Sequence, residues 1–116
     1  MRTSDRFNAF AKAMSFIQSE TKLQLELTQL HAMMAVYKSG ERGIAIGDLA
    51  KTTKVSSSAA GRTAATLSTY GHKDTKMKGW GLCEAFTDYE RPAFKIIRNT
   101  VRGKEVMDKF IDLLEA

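Results

Sequence analysis

The chain has 116 residues, enough for one domain around one core, and a net charge of +5 that favours an anionic partner without naming it. Its one cysteine, Cys83, excludes an internal disulfide and a cysteine-held zinc site. No apolar run is long enough to span a membrane, and the N-terminal M-R-T-S-D-R-F lacks the apolar stretch of a secretion signal, so a cytoplasmic location is expected.

Residues 5 to about 20 carry Phe7, Phe10, Met14 and Ile17 at alternating steps of three and four, which predicts a helix with one apolar stripe. Ser4 or Asp5 is its candidate cap. The stripe fits either core packing or a dimer contact. Residues 21–27 read as a linker with Leu23 and Leu25. Thr28 is the expected N-cap of a helix ending near Ser39 and Gly40. Its core set is Leu30, Met33, Met34, Val36 and Tyr37, and His31 within it is read as structural. Residues 40–43 are a turn by composition, and 44–46 suit a short strand.

The stretch 46–82 organises the rest. It predicts two short helices joined by a tight turn. The first starts after Gly47, holds Asp48 in its first turn and buries Leu49 and Ala50. The turn passes through Lys54 and Val55. Ser56 or Ser57 caps the second helix, which runs to about Tyr70 and stops at Gly71. In that helix Ala60, Ala64 and Leu67 share an inward face. Ser57, Ser58, Gly61, Arg62, Ala65, Thr66 and Thr69 point outward. An exposed helix ordinarily carries Glu and Lys pairs. This face is small and hydroxyl-rich with one arginine, which suits entry into a DNA major groove. The competing reading buries it inside a helical bundle, where the hydroxyls would lack partners.

Residues 70–81 lack periodicity and form a basic loop with His72, Lys73, Lys76 and Lys78. Trp80 is expected to pack on the core edge. The alternating runs 82–88 and 93–100 flank the only proline, Pro92, and predict a β-hairpin. Arg91 sits at its tip, with Lys95 and Arg98 along one arm. Residues 101–116 predict a closing helix with Val106, Met107, Phe110, Ile111, Leu113 and Leu114 on one face. The predicted fold is mostly α with a small β-hairpin, in the order α-α-β-α-α-β-β-α.

A helix–turn–helix followed by a hairpin is a winged helix, and here the chain resembles the MarR family of bacterial and phage regulators. The resemblance lies in L-T-Q-L-H-A-M-M (27–34), I-G-D-L-A-K (46–51), V-S-S-S-A-A-G-R-T-A-A-T-L (55–67) and D-Y-E-R-P-A-F-K-I-I-R-N-T-V-R-G-K (88–104). It implies that the helix from Ser56 is the recognition helix and that 88–91 is the wing tip. By the same resemblance Arg91 reaches the minor groove, Asp88 orients it, and the terminal helices (about 5–20 and 101–115) form a homodimer. Two departures stand out: the loop 72–80 is long, and the C-terminal region is about one helix short.

The expected function is a homodimeric regulator, a repressor, binding a pseudo-palindromic site in double-stranded DNA. The residues assigned to DNA are Lys54, Ser56, Ser57, Ser58, Arg62, Thr66, Lys73, Arg91 and Lys95. The alternative is a winged-helix module that binds a polymerase or another regulator, which the light charge of the recognition helix favours. An enzyme is not expected: the sequence has no phosphate-binding glycine loop, no metal-ligand spacing and no clustered carboxylates, and it calls for no cofactor. Cys83 could sense an oxidant on a strand, but nothing near it in sequence lowers a thiol pKa, so a buried, inert thiol is the expectation.

Overall fold

The fold is seen in a computed structural model that describes residues 3–21, 25–68, 79–88, 90–91 and 95–115. The order is α1 (Thr3–Glu20), α2 (Leu27–Ser39), a 3-10 turn (Gly40–Arg42), β1 (Ile44–Ala45), α3 (Ile46–Thr53), α4 (Ser57–Leu67), β2 (Cys83–Thr87), β3 (Lys95–Asn99) and α5 (Val101–Glu115). This is the predicted order. Expectations placed on Leu23, Thr69, Tyr70, Gly71, Lys73 and the rest of the basic loop through Lys78, and on Pro92, fall outside the described residues.

Helix α1 packs along α5, but through a different face from the one its large side chains predict. Ala9, Ala13, Ile17 and Thr21 recur every four residues and are buried. Two alanines at the contact let the helices approach closely. Phe7 and Phe10 are 69% and 54% exposed, so the expected single stripe is split: only Ile17 of it is buried, with Met14 half-buried. Thr21 closes the helix by donating its hydroxyl to the Ile17 carbonyl at 3.0 Å.

Helix α2 starts two residues earlier than the Thr28 cap predicts. Glu26 is the N-cap, and its backbone N–H donates to the Gln29 side chain at 2.8 Å. A glutamine three residues into a helix is well placed to reach back in this way. Leu30, Ala32, Met33 and Val36 are buried. Met34 is 45% exposed, against expectation, and His31 lies on the exposed side as well. Tyr37 is half-buried and donates its hydroxyl to Asp108 of α5. That bond and Lys104 hold the Asp108 carboxyl below the usual carboxylate range.

The sheet order is β1-β3-β2, all antiparallel, with Ile44 opposite Ile97 and Cys83 opposite Asn99. Gly43, at φ 76, feeds β1 against β3. A Cβ there would lie 2.7 Å from the Ile97 carbonyl oxygen, so the position admits no side chain. Ile46 belongs to α3 and not to the strand, which leaves β1 only two residues long.

The core gathers Ile17, Met33, Val36, Leu49, Leu67, Trp80, Leu82, Ile97, Met107 and Phe110 from all the helices and the hairpin. Leu49 and Leu67 have no exposed surface. Each contributes on the order of 2 kcal/mol by leaving water, which fixes α3 and α4 to the body of the fold. Trp80 is 7% exposed and belongs to this core. Cys83 is buried too, and burial pushes its thiol up to about 12. Such a thiol is almost wholly protonated near neutral pH and a poor nucleophile.

Candidate functional site

The site is built on the turn between α3 and α4. Helix α3 ends at Thr53, and its C-cap Lys54 takes the left-handed conformation at φ 58, its N–H reaching back to the Ala50 and Lys51 carbonyls. The Val55 N–H also donates to the Ala50 carbonyl, at 3.0 Å. A lysine in this region costs about 1 kcal/mol relative to glycine, and the closed turn offsets that. Ser56 then caps α4: its hydroxyl oxygen accepts from the Ala59 N–H at 3.1 Å. The left-handed Lys54 and the Ser56 cap thus end one helix and begin the next within four residues.

Ala60, Ala64 and Leu67 form the buried face of α4. Ser57, Ser58 and Arg62 are exposed, and Gly61, Ala65 and Thr66 are half-buried. Thr66 donates its hydroxyl to the Arg62 carbonyl at 3.1 Å, one turn back. The hydroxyls of this helix are therefore not sealed in a bundle. Helix α4 ends at Leu67, three residues short of expectation. Ser68 is extended and forms a parallel bridge with Cys83, which draws the backbone out of the helix.

Gly61 lies in the middle of α4, and a Cβ there would meet nothing within 4 Å. The fold does not need glycine at this position. Gly61→Ala should raise the unfolding free energy by about 0.5–1 kcal/mol, since glycine is a poor helix interior residue. Denaturant unfolding checks this, and a lowered midpoint would mean that the exposed face is packed in solution.

The hairpin tip carries the second group. Arg91 Nε donates to Asp88 Oδ2 at 3.2 Å. The Glu90 N–H donates to the other oxygen of the same carboxylate at 3.0 Å. The Glu90 N–H foremost, with help from the Arg91 guanidinium, holds the Asp88 carboxyl below its ordinary range. The Asp88 side chain is 14% exposed and that of Arg91 62%. The acid is the anchored partner and the guanidinium the outward one. Lys95 lies opposite Thr87 at the start of β3 and is exposed. Arg98, further along the arm, is turned back onto the sheet. It donates to Glu84 at 2.7 Å and lies 4.8 Å from the centre of the Phe86 ring.

No protein-family model and no curated protein sequence matches the chain. Solved structures do. The S. aureus MepR–DNA complex superposes with a TM-score of 0.68 over 90% of this chain and 77% of that one, at 15% identity. MarR gives 0.61 over 99% and 77%, at 21% identity. S. aureus MepR bound to ethidium bromide gives 0.58 over 99% and 76%, at 16% identity. The chain has the fold of the MarR-family winged-helix regulators. In this MarR-type frame α3 and α4 are the helix–turn–helix, β2 and β3 are the wing, and α1 and α5 are the terminal pair.

One residue of this MarR-type frame escaped the sequence reading. Arg102, at the start of α5, donates to the Trp80 carbonyl at 2.5 Å and to Glu20 at 3.0 Å. Its partners lie 22 and 82 residues away in the chain, beyond any local pattern. The only nearby signal is T-V-R-G at 100–103, where Thr100 caps α5 by accepting from the Gly103 N–H at 3.0 Å.

Proposed function

We propose that the protein is a sequence-specific, double-stranded-DNA-binding transcriptional regulator that acts as a homodimeric repressor. The observation that carries this reading is the exposed face of α4. Ser57, Ser58 and Arg62 stand outward on the second helix of a helix–turn–helix, while Ala60, Ala64 and Leu67 hold its other side to the core. A fold of the same type has been solved on DNA in MepR. Short side chains permit close approach to base edges, and an arginine can pair with guanine through two hydrogen bonds. Ser57, Ser58, Lys54 and Lys73 act chiefly on phosphates, which position the protein without reading sequence.

The exposure of Phe7 and Phe10 supports the dimer. Together with Leu114 and Arg6 they line an open apolar groove on the terminal pair. Large aromatic rings left in water on one element are the kind of surface a second copy covers. Two recognition helices would then enter successive major grooves about 34 Å apart. Occupying promoter DNA in this way represses.

The test is selection of bound duplexes from a random pool by the full chain. An enriched inverted repeat is the expected product. Enrichment of no sequence would remove the reading. The wing adds a separate expectation. Arg91→Ala should lower affinity and abolish a preference for A·T-rich flanks, because arginines in the minor groove favour narrow grooves. Parent and variant selecting the same flanks would take Arg91 out of the contact set.

A further inference from the structure

Three separate parts of the molecule meet at residues 79–82. The Trp80 N–H donates to the Thr66 carbonyl at 2.9 Å, and the Leu82 N–H to the Leu67 carbonyl at 2.9 Å. These bonds fasten the segment to the last turn of α4. On its other side the Thr100 N–H donates to the Leu82 carbonyl at 3.1 Å, and the Thr100 hydroxyl to the Gly81 carbonyl at 2.8 Å. The start of α5 is therefore fastened to the same segment.

Arg102 completes the joint from the α1 side. One guanidinium nitrogen donates to the Trp80 carbonyl at 2.5 Å and the other to Glu20, the last residue of α1, at 3.0 Å. A planar fork can hold two acceptors at a fixed angle, which a lysine ammonium cannot reproduce. The Arg102 and Glu20 side chains are 51% and 32% exposed. An ion pair so open to water adds little to stability. Its geometric effect is larger than its energetic one, because it links the end of α1 to Trp80, the residue whose N–H is bonded to α4.

We propose that Arg102 is a positioning residue that sets the angle between the terminal helix pair and α4, and through it the half-site separation the dimer accepts. This rests on the reading of the protein as a dimeric DNA-binding regulator. If the pair swings relative to α4, two recognition helices held by that pair move apart or together. A fixed joint selects one spacing, and a loosened joint tolerates several.

The experiment uses the full chain and the duplex recovered by selection, at its own half-site separation and with one base pair added or removed. A single half-site is the control. The parent should discriminate against altered spacing by about tenfold, a common size for coupling between sites. Arg102→Ala should lose most of that discrimination with its half-site affinity unchanged. Arg102→Lys should fall between the two, and Glu20→Gln should follow it. If Arg102→Ala does not fold, the lysine and glutamine variants carry the comparison. Parental discrimination in these variants overturns the proposal and leaves DNA binding intact. An equal fall in half-site affinity also overturns it, since it marks direct contact with DNA. A parent that selects no paired half-sites defeats the dimeric reading, and the proposal with it.

Discussion

Gly103→Ala is expected to lower the unfolding free energy by about 3 kcal/mol, at the upper end of the usual cost of overpacking. A Cβ at Gly103 would lie 1.7 Å from the Leu82 carbonyl oxygen and 2.7 Å from its carbon. Both atoms are backbone, so no rotamer change relieves the clash. Helix α5 must draw away from 81–82, which strains the Thr100 bonds to Gly81 and Leu82 together. Helix propensity acts in the opposite direction, since alanine is favoured over glycine by about 1 kcal/mol in a helix interior. The clash is the larger effect, so the net sign is destabilising. Urea unfolding of parent and variant measures it, with Gly61→Ala as the control of opposite sign. A Gly103→Ala midpoint at or above the parent's would mean that α5 does not sit on the Leu82 backbone in solution.

Arg62→Ala should have the largest effect on binding and almost none on folding. Arg62 is exposed on α4, and alanine serves a helix at least as well as arginine. Unfolding should shift by no more than about 0.5 kcal/mol, as for other surface changes. Affinity for the selected duplex should fall by about 1–3 kcal/mol, or roughly 5- to 150-fold, if the guanidinium pairs with a guanine. The loss should concentrate at one base position. Equal affinity of variant and parent would take Arg62 out of the interface.

The helix–turn–helix was legible because its signals are local. Serine capping, the break at Lys54 and Val55, and the spacing of Ala60, Ala64 and Leu67 act within a few residues. The hairpin was legible from alternation of side chains on its two arms. Apart from the start of α2, which Gln29 sets locally, what failed was set by partners distant in sequence. The end of α4 is fixed by Ser68 pairing with Cys83, and no property of residues 68–71 announces it. The buried face of α1 follows from its close fit on α5, where Ala9 and Ala13 matter more than Phe7 and Phe10. Size-weighted periodicity picks the large residues and passes over the small ones. In the candidate site the helical period places Ala60, Ala64 and Leu67 inside and Ser57, Ser58 and Arg62 outside, while Gly61, Ala65 and Thr66, expected outward, are half-buried. The bridge made by Arg102 does not, because it exists only once α1, α5 and the segment after α4 have come together.

The most direct test of DNA binding is a salt titration of the full chain against its selected duplex. Each phosphate neutralised by a lysine or arginine releases counterions, so log affinity should fall linearly with log salt, with a slope of about −0.9 per phosphate contact. A steep slope is expected, reflecting several such contacts. No duplex binding at low salt, or an affinity that salt leaves unchanged, would contradict it and point instead to a protein partner for α4.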